Sequence, residues 1–201
     1  MAGPPRTLLG LTKAAPPPSG FRESVVLVID AQREYVDGQL PLAHVAEALR
    51  QTQRLLARAR AAGVPVIHIQ QVSPRGRGVF EDGGPFVVFA PEAAPLSGEL
   101  ILTKKLPNAF AGTPLDDALR QLGRKHVIIS GYMTHMCVSA TARSALDHGY
   151  QTTVIANACA TREIPDTTGT TVTAAELHRV ALAELADRFS AVVADLDQIP
   201  D

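Results

Sequence analysis

The apolar run at residues 25–29, which ends at Asp30, constrains the fold of this chain more than any other feature. A strand without polar positions must be covered on both faces, which is typical of parallel sheets that carry helices on either side. Helically spaced apolar residues follow over 43–62, and a second apolar run follows over 64–69. The succession of strand, helix and strand predicts an α/β fold.

The same alternation of strands and helices continues to the end of the chain. Further strands are predicted at 99–103, 126–130, 151–156 and 191–195, and further helices at 113–123, 137–149 and 173–188. This predicts a three-layer, doubly wound fold with a mostly parallel sheet of about six strands, formed by one domain over 21–201. Residues 1–20 contain five prolines and predict a flexible, extended arm. The loop over 70–98 is long enough to be functional.

Composition excludes several classes of function. A formal net charge of -1 disfavours nucleic acid and anionic membranes as partners. No apolar run reaches the roughly 20 residues that span a bilayer. The two cysteines, Cys137 and Cys159, form neither a disulfide framework nor a Cys-x-x-Cys pair. We therefore expect a cytoplasmic protein that acts on a small molecule.

Three reactive side chains follow predicted strands. Asp30 ends the first strand, Lys104 follows the third and Cys137 follows the fourth, so all three belong to the edge of the sheet where ligands gather. A cysteine at a helix N-terminus is expected to have a lowered thiol pKa. Asp30 would exchange its proton, and Lys104 would keep the carboxylate basic. Taken singly, each residue is more often explained by packing, capping or solvation than by catalysis.

Three sequence blocks together resemble the isochorismatase-like cysteine hydrolases. The blocks are VIDAQ at 28–32, TK at 103–104 with PNAFAGT at 107–113, and IISGYMTHMCVSATAR at 128–143 with DHGY at 147–150. The resemblance covers about residues 23–199. It implies a catalytic triad of Asp30, Lys104 and Cys137, in which Lys104 is preferred to Lys105 because it lies six residues before Phe110.

The resemblance also implies a mechanism. The Tyr132–Met133 peptide bond is expected to be cis, and the N–H groups of Met133 and Cys137 are expected to form an oxyanion hole. Cys137 would attack an amide or ureide carbonyl and form a thioester. Members of the family commonly assemble, which implies a homodimer or homotetramer.

Metal-dependent members of the family use an Asp-x-His pair, and the matching positions here hold Gln71-Val72-Ser73, which is a poor zinc site. We therefore expect no metal and no cofactor. The presence of Cys137 argues against the vinyl-ether activity, whose enzymes lack the cysteine. Two alternatives stay open: a nicotinamidase-type metal-dependent amidase that uses other ligands, and a non-catalytic binding protein of the same fold.

Substrate contacts are predicted from position alone, against ordinary packing as the competing explanation. The candidates are Gln32, Tyr35, Leu40, Asn108, Phe110 and Met133. His135 is expected to face either solvent or the substrate. Cys159 is expected to be structural because its sequence neighbours are not basic.

Overall fold

A computed structural model of the protein describes residues 3–201. Its α-helices are α1 (Leu8–Leu11), α2 (Val45–Ala61), α3 (Leu115–Gln121), α4 (Ser139–Asp147) and α5 (Ala174–Arg188). Its strands are β1 (Ser24–Ile29), β2 (Val66–Gln71), β3 (Leu100–Lys104), β4 (His126–Tyr132), β5 (Gln151–Ala160), β6 (Ile164–Pro165), β7 (Thr171–Val172) and β8 (Ala191–Val193).

Six of these strands form a parallel sheet in the order β3-β2-β1-β4-β5-β8, and β6 and β7 form a small antiparallel pair. The chain first builds the sheet outward from β1 to β3 and then crosses to β4 on the other side of β1. Such a reversal opens a crevice at the carboxyl ends of the two central strands. The predicted fold class is confirmed.

The central strand β1 is buried on both faces, as its sequence predicts. Val26 and Val28 pack with residues of α2, whereas Val25, Leu27 and Ile29 pack with residues of α3, α4 and α5. Successive side chains of a strand point to opposite faces, so one apolar run supplies both cores. The result is the expected sandwich of helix, sheet and helix.

Gly131 sets how closely β1 and β4 approach at their carboxyl ends. It pairs with Ile29, has a φ of 122°, and leaves no room for a side chain, because a Cβ there would lie 2.0 Å from the Ile29 carbonyl oxygen. Glycine alone adopts this geometry at little cost. The residues that follow this pair, Asp30 after β1 and Tyr132 at the end of β4, are therefore brought side by side.

The N-terminal arm differs from the extended segment that its prolines predict. Thr7 caps the short helix α1, and Leu9 is buried where α1 packs against α5. The Leu8 N–H donates to Asp187 at 2.7 Å, and the Ser19 N–H donates to Thr153 at 2.8 Å. One buried leucine and a cap are enough to form a single helical turn against a neighbour. The domain boundary at residue 20 stays a prediction.

The long loop between β2 and β3 is anchored to the chain that follows β1. The Arg33 N–H donates to the Val88 carbonyl, and the Ala90 N–H donates to the Ala31 carbonyl, both at 2.9 Å. The loop therefore covers the carboxyl end of the sheet.

None of the helices in residues 3–201 combines the length and hydropathy needed to cross a bilayer.

Candidate active site

The structure brings Asp30, Lys104 and Cys137 into direct contact. Asp30 follows β1, Lys104 is the last residue of β3, and Cys137 lies in the turn after β4. The Lys104 Nζ lies 2.8 Å from Asp30 Oδ2 and 3.3 Å from Cys137 Sγ. Their exposed fractions are 0%, 1% and 4% for Asp30, Lys104 and Cys137, so the cluster is almost dry.

Asp30 occupies an unusual backbone position. Its φ of 52° places it in the left-handed region, which aspartate tolerates better than most residues. Burial raises the pKa of its carboxyl group, and the charge and hydrogen bond of Lys104 oppose that rise. Lys104 therefore acts in the predicted direction, but the sequence does not reveal that burial has the larger effect.

The pKa of the Cys137 thiol differs from the prediction. We expected the helix N-terminus to lower it, but burial and the negative charge of Asp30 raise the pKa of Cys137 to about 12, with Lys104 only partly compensating. Cys137 also lies inside a single π-helical turn, Thr134–Val138, before α4 begins. These surroundings therefore favour the neutral thiol over the thiolate.

Gln71 completes the surroundings of the lysine, and sequence reasoning considered it only as a missing metal ligand. Its Oε1 accepts a hydrogen bond from Lys104 Nζ at 2.7 Å. The pairing of Gln71 with Lys104 in the β2–β3 register puts the two side by side. That register is the signal that would have found it, because neighbouring parallel strands end at one edge.

Gln32 is not free to contact a substrate as predicted. Its side-chain amide donates to the carbonyls of Gln71 at 2.9 Å and Val87 at 2.6 Å, and its oxygen accepts from the Gln71 N–H at 2.8 Å. The residue is fully buried, with both amide hydrogens used. Gln32 therefore holds β2 and the long loop against the end of β1.

Tyr35 and Met133 lie close to the cluster. The Tyr35 ring packs against Phe80 and Tyr132, with centroids 5.0 and 5.7 Å away. Burial raises the pKa of its hydroxyl, and the negative charges of Asp30 and Cys137 add to the rise. Met133 is buried in the same core, and Leu40 packs against its edge. Their contact with a substrate stays a prediction.

Phe110 packs against other aromatic rings, and its contact with a substrate stays a prediction. Its ring stacks on His148, with centroids 4.7 Å apart, and faces Tyr150 at 6.0 Å. His148 follows the C-terminus of α4, whose nine residues extend about 13 Å from the turn that holds Cys137. The Asn108 side chain accepts from the Phe110 N–H at 2.9 Å and so shapes this turn, while its contact with a substrate stays a prediction.

The start of the turn that carries Cys137 is fixed by contacts with the end of β5. The Tyr132–Met133 bond is cis, as predicted. The Thr134 hydroxyl donates to the Ala160 carbonyl at 3.1 Å, and His135 Nδ1 lies 2.6 Å from the Thr161 hydroxyl. His135 thus turns toward β5, and burial together with the charge of Arg162 lowers its pKa.

Cys159 and the potential metal ligands lie apart from this chemistry. Cys159 is buried in β5 beside Gly131, and burial raises its pKa to about 12. Within residues 3–201, no three His, Cys, Asp or Glu side chains are grouped so that they could hold a metal ion. Metal independence stays a prediction.

The family model for the isochorismatase domain matches residues 24–198. The chain belongs to the isochorismatase family. A crystal structure of an isochorismatase from Pseudomonas putida has a TM-score of 0.90 and 39% identity, and the match covers 94% of this chain and 96% of that one. The protein is therefore an isochorismatase-like hydrolase.

Two curated relatives illustrate the different roles of proteins in this family. A secreted isochorismatase effector of Verticillium dahliae is 36% identical over 96% of this chain and 97% of its own. A maleamate amidohydrolase of Pseudomonas putida is 33% identical over 68% of this chain and 72% of its own. The family thus includes amidohydrolases. Because the first relative is secreted, the predicted cytoplasmic location of this chain stays a prediction.

Proposed function

We propose that this protein hydrolyses a C–N bond of a small amide or ureide through a thioester on Cys137. One observation carries the proposal: a single buried ammonium, Lys104 Nζ, contacts both the Asp30 carboxylate and the Cys137 sulfur. This arrangement joins a nucleophile, a proton acceptor and a charge that stabilises both. The amidohydrolase among the relatives supports the same bond type.

In the first half of the reaction, the Cys137 thiol gives its proton to Asp30 as sulfur attacks the carbonyl carbon. The raised pKa of the thiol makes this transfer necessary, and the raised pKa of Asp30 makes the carboxyl group a competent acceptor. The N–H groups of Met133 and Cys137 would hold the oxyanion. Asp30 then returns the proton to the leaving nitrogen, the C–N bond breaks, and a thioester remains.

In the second half, water replaces the amine. Asp30 takes a proton from the water, the oxygen attacks the thioester carbonyl, and the C–S bond breaks as sulfur regains the proton. Lys104 keeps its contacts with Asp30 and Gln71 throughout. The cycle needs neither metal nor cofactor.

A screen of small primary amides and ureides for ammonia release tests the proposal. The Cys137→Ala variant should lose at least about a thousandfold in kcat, because the nucleophile is gone. Cys159→Ala, a buried cysteine on β5, is the matched control and should retain activity. Equal turnover by Cys137→Ala and the wild-type protein would overturn the proposal.

The homodimer or homotetramer implied by the family resemblance is also proposed here. Sedimentation equilibrium on the purified protein measures it directly. A monomer mass over the micromolar range would contradict it.

A further inference from the structure

His178 of α5 is a half-buried side chain to which the proposed reaction gives no part. Its Nδ1 lies 2.9 Å from the Thr134 hydroxyl, and that hydroxyl donates to the Ala160 carbonyl at 3.1 Å. Because a hydroxyl has one hydrogen, it satisfies both contacts only by accepting the Nδ1–H of His178. The hydrogen bonds therefore run from α5 through Thr134 to the end of β5.

Thr134 is the link between α5 and the candidate active site. It is fully buried, directly follows Met133 and opens the π-helical turn that holds Cys137. Its carbonyl accepts the N–H of Ser139, the first residue of α4, so its backbone also helps to close that turn. A shift of Thr134 would therefore move the Met133 N–H relative to the sulfur of Cys137.

The ring of His178 depends on this hydrogen bond for its orientation. The ring lines a cavity of about 320 Å³, whose walls include Ala156 and Ala160 of β5 and Ala175 of α5. Alanine side chains are short, and the cavity leaves open space on this side of the ring, so packing there contributes little. The contact with Thr134 is then what holds the ring in place.

We propose that His178 is a positioning residue of the candidate active site. Its Nδ1–H holds Thr134, and Thr134 keeps the Met133 N–H and Cys137 in the arrangement that an oxyanion requires. This inference rests on the proposed function, because it assumes that a carbonyl oxygen is held by the N–H groups of Met133 and Cys137. Such donors are effective only when they are aligned before the reaction begins. His178 acts through Thr134 and takes no part in bond breaking.

The pH profile of iodoacetamide alkylation at Cys137, read by mass spectrometry, tests this link without a substrate. The charges that act on the thiol belong to Asp30 and Lys104, so a changed profile on replacing His178 reports a movement of the turn. The amide of His178→Asn can donate from the place of Nδ1, whereas that of His178→Gln reaches the place of Nε2 and His178→Phe has no donor. Arg179→Ala, at the next and exposed residue of α5, is the matched control.

In His178→Phe the turn should loosen and the midpoint of the profile should fall by about one pH unit, because burial and the charge of Asp30 hold the thiol pKa high in the anchored turn. His178→Gln should behave like His178→Phe, and His178→Asn and Arg179→Ala should behave like the wild-type protein. Thr134→Val should produce the same fall. Adding His178→Phe to it should add nothing further, since the two residues form one link.

Coincident profiles for the wild-type protein, His178→Phe and Thr134→Val would overturn the positioning role while leaving Cys137 reactive. Additive shifts in the double variant would also overturn it, because His178 would then act by another route. An equal fall in His178→Asn and His178→Gln would show that packing, not the Nδ1 donor, is what matters. If Cys137 reacts no faster than Cys159 in the wild-type protein, the proposed function fails and this inference fails with it.

Discussion

Lys104 contacts three different groups: it forms an ion pair with the Asp30 carboxylate and donates hydrogen bonds to the Cys137 sulfur and the Gln71 amide oxygen. A buried ammonium would otherwise be very costly, because it leaves water without compensation. Its position puts one positive charge next to both the Asp30 carboxylate and the Cys137 sulfur. At the residue scale, the candidate site is a buried carboxyl group and a buried thiol joined by one lysine.

Gln71 should matter for activity although it touches no reacting atom. In Gln71→Leu, the Lys104 ammonium loses its amide acceptor, so its orientation toward Asp30 and Cys137 weakens. We expect about a tenfold loss of kcat, equivalent to one charged hydrogen bond. Gln70→Leu, on the adjacent residue of β2, is the control. An unchanged kcat in Gln71→Leu would contradict the role given to this amide.

The meeting of Asp30, Lys104 and Cys137 could be predicted from the sequence, because each ends or follows a strand of a parallel sheet. The strand assignments and the family blocks were enough for that prediction, and the catalytic role of the three residues stays a proposal. The direction of the thiol pKa could not be predicted. It depends on how completely Cys137 is buried and on its nearness to Asp30. The spacing of residues along the sequence indicates neither.

At the element scale, the strand ends are the predictable part and the loop paths are not. The apolar runs fix the positions of the strands to within a few residues. The segment after β3, however, runs along α4, where the Ala109 N–H donates to the Thr141 hydroxyl at 3.0 Å. It therefore carries the Phe110 ring onto His148, just after the C-terminus of α4. The family spacing identifies Lys104 but does not indicate where the Phe110 ring points.

Glu99 joins three elements just before β3. Arg60 of α2 donates to it at 2.8 and 2.9 Å, and His68 of β2 lies at 2.9 Å. Burial raises the pKa of Glu99, but the hydrogen bonds from Arg60, the Leu96 N–H and His68 outweigh it and lower the pKa from 4.5 to about 2. The carboxylate thus stabilises the folded state wherever it is ionised.

The stability conferred by Glu99 should depend on pH. The folded-state pKa is depressed, so the contribution is complete above about pH 4.5 and disappears as the pH falls toward 2. We expect Glu99→Gln to lower the free energy of unfolding at pH 7 and to lower it less at pH 3, as measured by urea denaturation. The exposed Glu163→Gln serves as control. An equal loss at both pH values would contradict this assignment.

At the scale of the whole molecule, one central sheet supports two cores, and the arm adds a small third contact. Burial of β1 on both faces made the fold class predictable from the sequence. Docking of the arm could not be predicted, because its prolines and glycines resemble a solvated linker and its buried Leu9 stands out only once α5 is in place. The substrate cannot be predicted from the sequence either, since its selection depends on loop geometry.

The docked arm makes a paired prediction. Leu9→Ala should lower the free energy of unfolding by about 2 kcal/mol, because Leu9 is buried. Leu11→Ala should change it by less than about 0.5 kcal/mol, because Leu11 is 58% exposed on the same short helix. Urea denaturation of both variants measures the difference. Two equal, negligible effects would instead support the flexible arm that the composition predicts.

The measurement that most directly tests the central claim is the pH profile of iodoacetamide alkylation at Cys137, read by mass spectrometry. It compares the wild-type protein with Asp30→Asn and Lys104→Met, with Cys159 as an internal reference. Removing the charge of Asp30 should shift the profile to lower pH, and removing that of Lys104 should shift it to higher pH, because these charges act on the thiol pKa in opposite directions. Three coincident profiles would show that Cys137 is independent of both residues and would contradict the account.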